Sequence, residues 1–419
     1  MNSFGKIKGY NNVKAELMQI SDILRNPEEY DRLGVSLPRG LLLIGDPGVG
    51  KTLMSKCLIE DSGWNSFICR KDRPDGAFIN HIRETFNKAK SDSPSIILLD
   101  DLDKFANEDE EHNAAEEYVT VQACIDDARD SKVFVIATVN DEWKLPESLI
   151  RSGRFDKRIY IENPKGKEAV EIVGAFLKDK KFVSNVDPSI VAQLLEGSSC
   201  AELETIINNA GLRAGYDRRE TIDMQDIINA YLNLPYCKDY VEELSLKRYK
   251  LTAVHEAGHA VASELLFPGS VTLVSIIPSG SNSGLTCRHH FDSSILDINE
   301  IKSEIEVYLA GKAAIEIVYG VAEIGCSRDI RNAFEYADMI ANTGGIGLNS
   351  CQITRYNDTS FQEHEIEKAK IKEVEEAYKR IKEKLAQNRS FLDSLVQELL
   401  DKKVVMSSDL AALREGSTN

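Results

Sequence analysis

The sequence predicts an α/β module, made of a parallel sheet with flanking helices and a small helical subdomain, followed by a mainly α-helical domain. Three observations predict it. Residues 1 to about 162 alternate short apolar runs with helical-period stretches, and Pro164 to about Leu234 carries helical patterns alone. Beyond a polar stretch at 235–248 the pattern is again mostly helical. Strands separated by helices pair in parallel and are covered on both faces.

Taken in order, Leu41–Ile44, Ile96–Leu99 and Val133–Ala137 are apolar runs bounded by Gly, Pro or acidic residues, and read as buried strands. Lys51–Ile59 and Ile79–Lys90 have the helical period between them. Asp187-Pro188 and Gly197-Ser198-Ser199 punctuate the helical region. After the polar linker, Leu251–Phe267 reads as a helix with one polar stripe and Val271–Pro278 as a strand. The remainder reads as helical, ending in the charge-rich stretch His364–Leu400, and the acidic run Glu108–Glu111 as a solvated loop.

Composition narrows the function. A chain of 419 residues with 42% hydrophobic and 28% charged residues has material for two or three folded domains. A net charge of −17 repels a phosphate backbone and argues against nucleic acid as main partner. The 8 cysteines form no CxxC pair, as expected of reduced thiols in the cytoplasm. No run approaches the ~18 apolar residues of a membrane helix, so no membrane segment is expected.

Gly45-Asp46-Pro47-Gly48-Val49-Gly50-Lys51-Thr52 fits GxxxxGK[ST], follows an apolar strand and opens a helix. Its backbone N–H groups and the helix dipole suit phosphate oxygens, Lys51 suits the β- and γ-phosphates of ATP, and Thr52 suits Mg2+. Ile96–Leu99 runs into Asp100 and Asp101. Asp100, at a strand end beside such a loop, is placed for the Mg2+ shell, and Asp101 for polarising the attacking water. Asn140, beyond the strand at Val133–Ala137, is placed to orient that water. Arg151 and Arg154 stand three residues apart in Arg151-Ser152-Gly153-Arg154-Phe155-Asp156.

His255-Glu256-Ala257-Gly258-His259 matches HExxH within a helical stretch. The i, i+4 spacing puts both imidazoles on one face for a shared Zn2+, with Glu256 as general base. With only 7 histidines in the chain, such a match arises by chance in roughly one chain per hundred. A third protein ligand is required. His289, His290, His364 and many carboxylates are available, and spacing does not choose among them.

In this order the motifs resemble the FtsH family of AAA+ ATP-dependent zinc metalloproteases, over nearly the whole chain. Phe4–Lys14 resembles the stretch before that family's nucleotide loop, and Ile136–Asn140 through Asp156 its second region of homology. Gly197–Glu202 resembles a loop opening a helix near the nucleotide, and Leu309–Ala314 and Gly325–Asp329 resemble the peptidase segment. The resemblance implies an AAA+ large subdomain at 1–162, a small helical subdomain at 163–236, a linker at 237–248 and a zinc peptidase at 249–419. It implies Asp329 as the third zinc ligand, one Zn2+ per chain and ATP with Mg2+. It implies protein substrates and a homohexamer in which Arg151 and Arg154 reach the neighbouring subunit's ATP.

Three departures stand out. The family's transmembrane anchors are absent from this sequence. Asp101 stands where the family has Glu, one methylene longer. The stretch Phe67–Arg83 lacks an aromatic–aliphatic–glycine pore motif, and Phe78 is its nearest aromatic candidate. Two further expectations follow. Val271–Pro278 would serve as an edge strand for substrate, with ordinary core packing as the alternative. The activity is that of an ATP-dependent zinc endopeptidase, the alternative being a nucleotide-gated remodelling or assembly ring with a weakened motor and a vestigial or ATP-independent peptidase.

Overall fold

The computed structural model describes residues 3–35, 37–72, 75–105, 115–150, 153–181, 183–232, 246–278, 283–289, 297–321, 325–342 and 359–417. They divide into two units, Met1–Ala230 and Tyr231–Asn419.

The first unit is built on β1 (Gly40–Ile44), β2 (Asn65–Cys69), β3 (Ser95–Leu99), β4 (Val133–Val139) and β5 (Lys157–Tyr160). They pair in parallel in the order β2-β3-β4-β1-β5. The helices α1 (Asn11–Arg25), α2 (Pro27–Asp31), α3 (Lys51–Ser62), α4 (Asp75–Ser91), α5 (Ala115–Asp127) and α6 (Glu147–Ile150) alternate with these strands. The expected strands are the three central ones, apolar because β1 and β3 are buried on both faces. The sequence reading did not mark β2 and β5, which lie at the edges and keep three of their residues exposed each. Phe78 is fully buried and packs edge-on against Phe105, with ring centroids 4.9 Å apart, so it is a core residue and not a gripping one.

The region expected to be helical only contains α7 (Gly166–Lys178), α8 (Pro188–Leu194), α9 (Cys200–Tyr216) and α10 (Met224–Tyr231), with one isolated β-bridge, Val183 to Ile222. Both predicted breaks are helix caps. The Asp187 side chain accepts from the Ser189 N–H before Pro188 at the first turn, and Ser199 forms a capping box with Glu202.

The second unit begins with α11 (Leu246–Leu266), so residues 246–248, expected in the linker, already belong to the helix. It continues with β6 (Val271–Ser275), β7 (Leu285–Arg288), α12 (Ile298–Tyr319), α13 (Ser327–Asn342), α14 (Thr359–Gln387), α15 (Arg389–Lys402), β8 (Val404–Met406) and α16 (Ser407–Ser417). Its three strands form an antiparallel sheet in the order β7-β6-β8. The expected edge strand is therefore the central one, and all five of its residues are buried. The two strands beside it, four and three residues long, are too short for an alternating pattern to declare them. Helices α11 and α12 meet through small side chains, Ala253, Ala257, Ala310 and Ala314, all fully buried. At their closest point a Cβ on Gly258 would lie 2.6 Å from the Ala310 carbonyl oxygen. Among the described residues no helix is long and apolar enough to cross a membrane.

Candidate functional site

The first unit gathers its candidates at the carboxyl ends of the central strands, where α/β sheets bind ligands. The loop 45–50 leaves β1 and turns into α3, with Gly48 and Gly50 at φ 87° and 102°. Lys51, buried beneath it, donates from Nζ to the carbonyls of Gly45 at 2.6 Å and Asp46 at 2.9 Å, and to Asn140 Oδ1 at 3.0 Å. Burial pulls its ammonium below the ordinary lysine value, while Asp101, Asp103, Asp46 and Asp100 oppose the shift. The Ala201 N–H donates to the Gly48 carbonyl at 3.1 Å, which ties the start of α9 to the loop.

Asp100 is buried at the end of β3. Its Oδ1 accepts from Thr52 Oγ1 at 3.1 Å and Thr138 Oγ1 at 2.9 Å, and its Oδ2 from Arg70 Nη2 at 2.5 Å. Asp101 adopts a left-handed backbone, φ 57°, and its carboxylate is paired with Lys104 at 2.7 Å. These residues fit Mg2+ and a triphosphate: a hydroxyl and a carboxylate meet beside an ammonium under a glycine-rich loop that opens a helix.

Asp103 escaped the sequence reading although the run Asp100-Asp101-Leu102-Asp103 contains it. It is buried, and its Oδ2 accepts from both the backbone N–H and Nδ2 of Asn140, each at 3.1 Å. Because a carboxylate only accepts, this contact fixes which end of the Asn140 amide faces Lys51: the oxygen. Asp103 Oδ1 is buried without a hydrogen-bond partner among the described residues.

The two arginines fare differently. Arg151 lies outside the described residues. Arg154 is turned into its own chain. Its Nε and Nη2 grip Asp126 at 3.2 Å and 2.7 Å, Nη1 donates to the Ser148 carbonyl, and the residue is 6% exposed. Asp126 is itself 47% exposed, so this pair holds the arginine with the modest strength of a surface ion pair.

In the second unit His255 and His259 project from one face of α11, their Nε2 atoms 3.1 Å apart. Asp329, on the first turn of α13, brings Oδ2 to 3.2 Å from His255 Nε2 and 3.6 Å from His259 Nε2. Ligand atoms of the three lie within 4.8 Å of one another, and no other group of three or more His, Cys, Asp or Glu among the described residues does so. His289 and His364 stay outside the cluster, and His290 is not among the described residues. His259 Nδ1 faces the Val307 carbonyl at 2.8 Å, which leaves Nε2 as the metal-facing nitrogen. Burial raises the Asp329 carboxyl, but hydrogen bonds from both histidines outweigh it and hold the group below the ordinary aspartate range. Two imidazoles and a carboxylate converging on one point are a donor set that fits zinc.

Glu256 is buried beside this cluster, and Thr286 Oγ1 of β7 donates to its Oε2 at 2.8 Å. Burial raises its carboxyl above the ordinary glutamate value, against the pull of His259 and His255. Gly311 of α12 forms the opposite wall. A Cβ there would sit 2.6 Å from His259 Nε2 and 2.7 Å from His255 Cε1.

Residues 41–163 match the model of the ATPase family associated with various cellular activities, and residues 242–413 match peptidase family M41. The ATP-dependent zinc metalloprotease FTSH 1, chloroplastic, of Arabidopsis thaliana is 28% identical over 450 residues, covering 98% of this chain and 62% of that protein. The FtsH 3 enzyme of Synechocystis is likewise 28% identical, over 98% of this chain and 72% of its own length. The FtsH enzyme of Helicobacter pylori is 28% identical over 438 residues, 96% of this chain and 69% of that protein. The chain thus spans about three fifths of the length of the Arabidopsis relative.

Proposed function

The chain belongs to the FtsH family of ATP-dependent zinc metalloproteases, and from that premise we propose that it hydrolyses peptide bonds in protein substrates fed to it by ATP turnover. The observation that carries the reading is the convergence of His255, His259 and Asp329 beside a buried, hydrogen-bonded Glu256.

Those three residues would hold a zinc ion, which when bound would supply the Lewis-acid chemistry that acidifies water and polarises a scissile carbonyl. Glu256 takes the proton from the attacking water and delivers it to the leaving amine nitrogen. Its raised affinity for protons, caused by burial, suits a group that must hold one between the two steps. Thr286 keeps the carboxylate turned towards the histidines. With β6 in the centre of the sheet, the strand for a peptide to pair with is β7, at the edge.

In the other unit Mg2+ with ATP supplies the phosphoanhydride whose cleavage drives the motion. Lys51 binds the phosphates, Thr52 and Asp100 hold the cation, and Asn140 and Asp101 orient the attacking water. A homohexameric ring is the assembly we propose. We assign its trans contacts to Arg151 and Arg154. The absence of any CxxC pair from the sequence supports a cytoplasmic, reducing location.

The motor is read as weak in grip. The segment starting at Arg70 is charged, and Phe78 is fully buried. Hydrated charges hold an arbitrary peptide less well than an aromatic ring does. Loosely folded proteins are therefore the proposed substrates.

The test is casein degradation with ATP, with a non-hydrolysable analogue and with a zinc chelator, set beside a stably folded fluorescent protein. Loss of casein only with hydrolysable ATP and zinc is expected. Degradation that ignores the chelator, or that survives in Glu256→Gln, refutes the peptidase reading; rapid ATP-driven loss of the folded fluorophore refutes the weak grip.

A further inference from the structure

The parallel pairing of β2 with β3 sets Cys69 opposite Leu99, and the Asp100 N–H donates to the Cys69 carbonyl at 3.0 Å. The next residue on each strand is therefore a neighbour: Arg70 stands beside Asp100 by register. Its Nη2 lies 2.5 Å from Asp100 Oδ2, the side chains being 60% and 4% exposed. The other carboxylate oxygen is shared by Thr52 and Thr138. The group assigned to the Mg2+ shell already carries a cation of the chain's own.

We infer that Arg70 competes with Mg2+ for Asp100 and so sets the Mg2+ concentration at which nucleotide binds. This rests on the nucleotide-site reading above. Arg70 sits on Oδ2 while Thr52 marks the cation side at Oδ1, and a guanidinium on one carboxylate oxygen opposes a divalent cation on the other because the two positive charges lie at close range. The asymmetry of exposure decides which partner yields. Arg70 is mostly in water and leaves for full hydration, whereas Asp100 is buried and stays. Lys71, the next residue, is paired with buried Glu117 of α5 at 3.2 Å, so the backbone remains anchored while the Arg70 side chain swings. Arg70 is thus a resident counter-ion that stabilises Asp100 before nucleotide arrives and is displaced when Mg2+ enters.

The experiment uses the full chain and a fluorescent N-methylanthraniloyl-ADP, with Mg2+ titrated from an EDTA-buffered start. For Arg70→Gln the half-saturating Mg2+ should fall about five-fold, the scale of a half-exposed ion pair, and Arg70→Met should move it in the same direction. Arg70→Lys, which keeps the charge, should stay near the wild type. Thermal unfolding checks that each variant is folded. An unchanged or increased Mg2+ requirement in the two neutral variants overturns the inference while leaving the nucleotide site standing. Wild-type protein that binds no nucleotide at any Mg2+ concentration, like the Lys51→Ala control, removes both.

Discussion

Replacing Gly311 by Ala should empty the metal centre while leaving the fold in place. The new Cβ would sit 2.6 Å from His259 Nε2, short of ordinary van der Waals contact by about 0.8 Å. His259 has little room to yield, since it is 9% exposed and its Nδ1 is held by the Val307 carbonyl at 2.8 Å. Metal coordination tolerates displacements of about 0.2 Å, so the shift exceeds the tolerance several times over. A loss of roughly 100-fold in zinc affinity follows, the upper range for disturbed ligand support. Stability responds much less. Overpacking costs about 1–3 kcal/mol, and the gain from replacing a mid-helix glycine by alanine offsets about 1 kcal/mol of it. The assay is competition for zinc against a chelator of graded strength, with thermal unfolding of the metal-free protein alongside. Gly311→Ala that holds zinc as tightly as the wild type would refute the reasoning, because the wall inferred from the backbone would then not exist.

Asp103→Ala should lower kcat for ATP hydrolysis by about ten-fold with nucleotide affinity nearly intact, because Asn140 loses the contact that fixes its amide; an unchanged kcat would assign Asp103 to packing. Asp101→Glu should raise ATP turnover by roughly ten-fold by bringing the carboxylate a methylene closer to the water; a fall in rate would mean that the Lys104 pairing has adapted the site to aspartate. Glu316→Gln should destabilise the protein near neutral pH and cease to do so in acid. Hydrogen bonding from Lys312 holds the Glu316 carboxyl down at about 2, below its ordinary 4.5. A depressed pKa stabilises above the unfolded value and loses its effect as pH falls through the folded one. The gap in melting temperature between wild type and variant should therefore close from about pH 4.5 towards pH 2. A gap that persists in acid would point to packing instead.

What the sequence disclosed is what local spacing encodes. The phosphate loop and HExxH declare themselves because their chemistry needs residues one helical turn apart, and the central strands because burial on both faces makes them wholly apolar. Asp329 stands 70 positions from His259, so only a family resemblance could propose it. The edge strands β2 and β5 carry Asn65, Ser66, Lys157 and Arg158, because one flank faces water, and so they lack an apolar signature. Strand order itself has no local signature, which is why the sequence leaves edge and core open for β6 and only the sheet order chooses core. Arg154 shows the same limit for charge. Its partner Asp126 stands 28 positions away, a separation that no local spacing discloses.

The glycine seam between α11 and α12 has a consequence for how this protein fails. The two helices are locked by backbone contact and by alanine methyl groups, not by the candidate metal centre, whose ligands sit on α11 and α13. A chain that has lost His255 or Asp329 therefore keeps its shape and gives proteostasis machinery nothing to recognise. In any ring of copies it takes a seat and does no work. Mutations at the ligands would spread as silent passengers that dilute an assembly, whereas a bulky residue at Gly258 would part the helices and be cleared as misfolded.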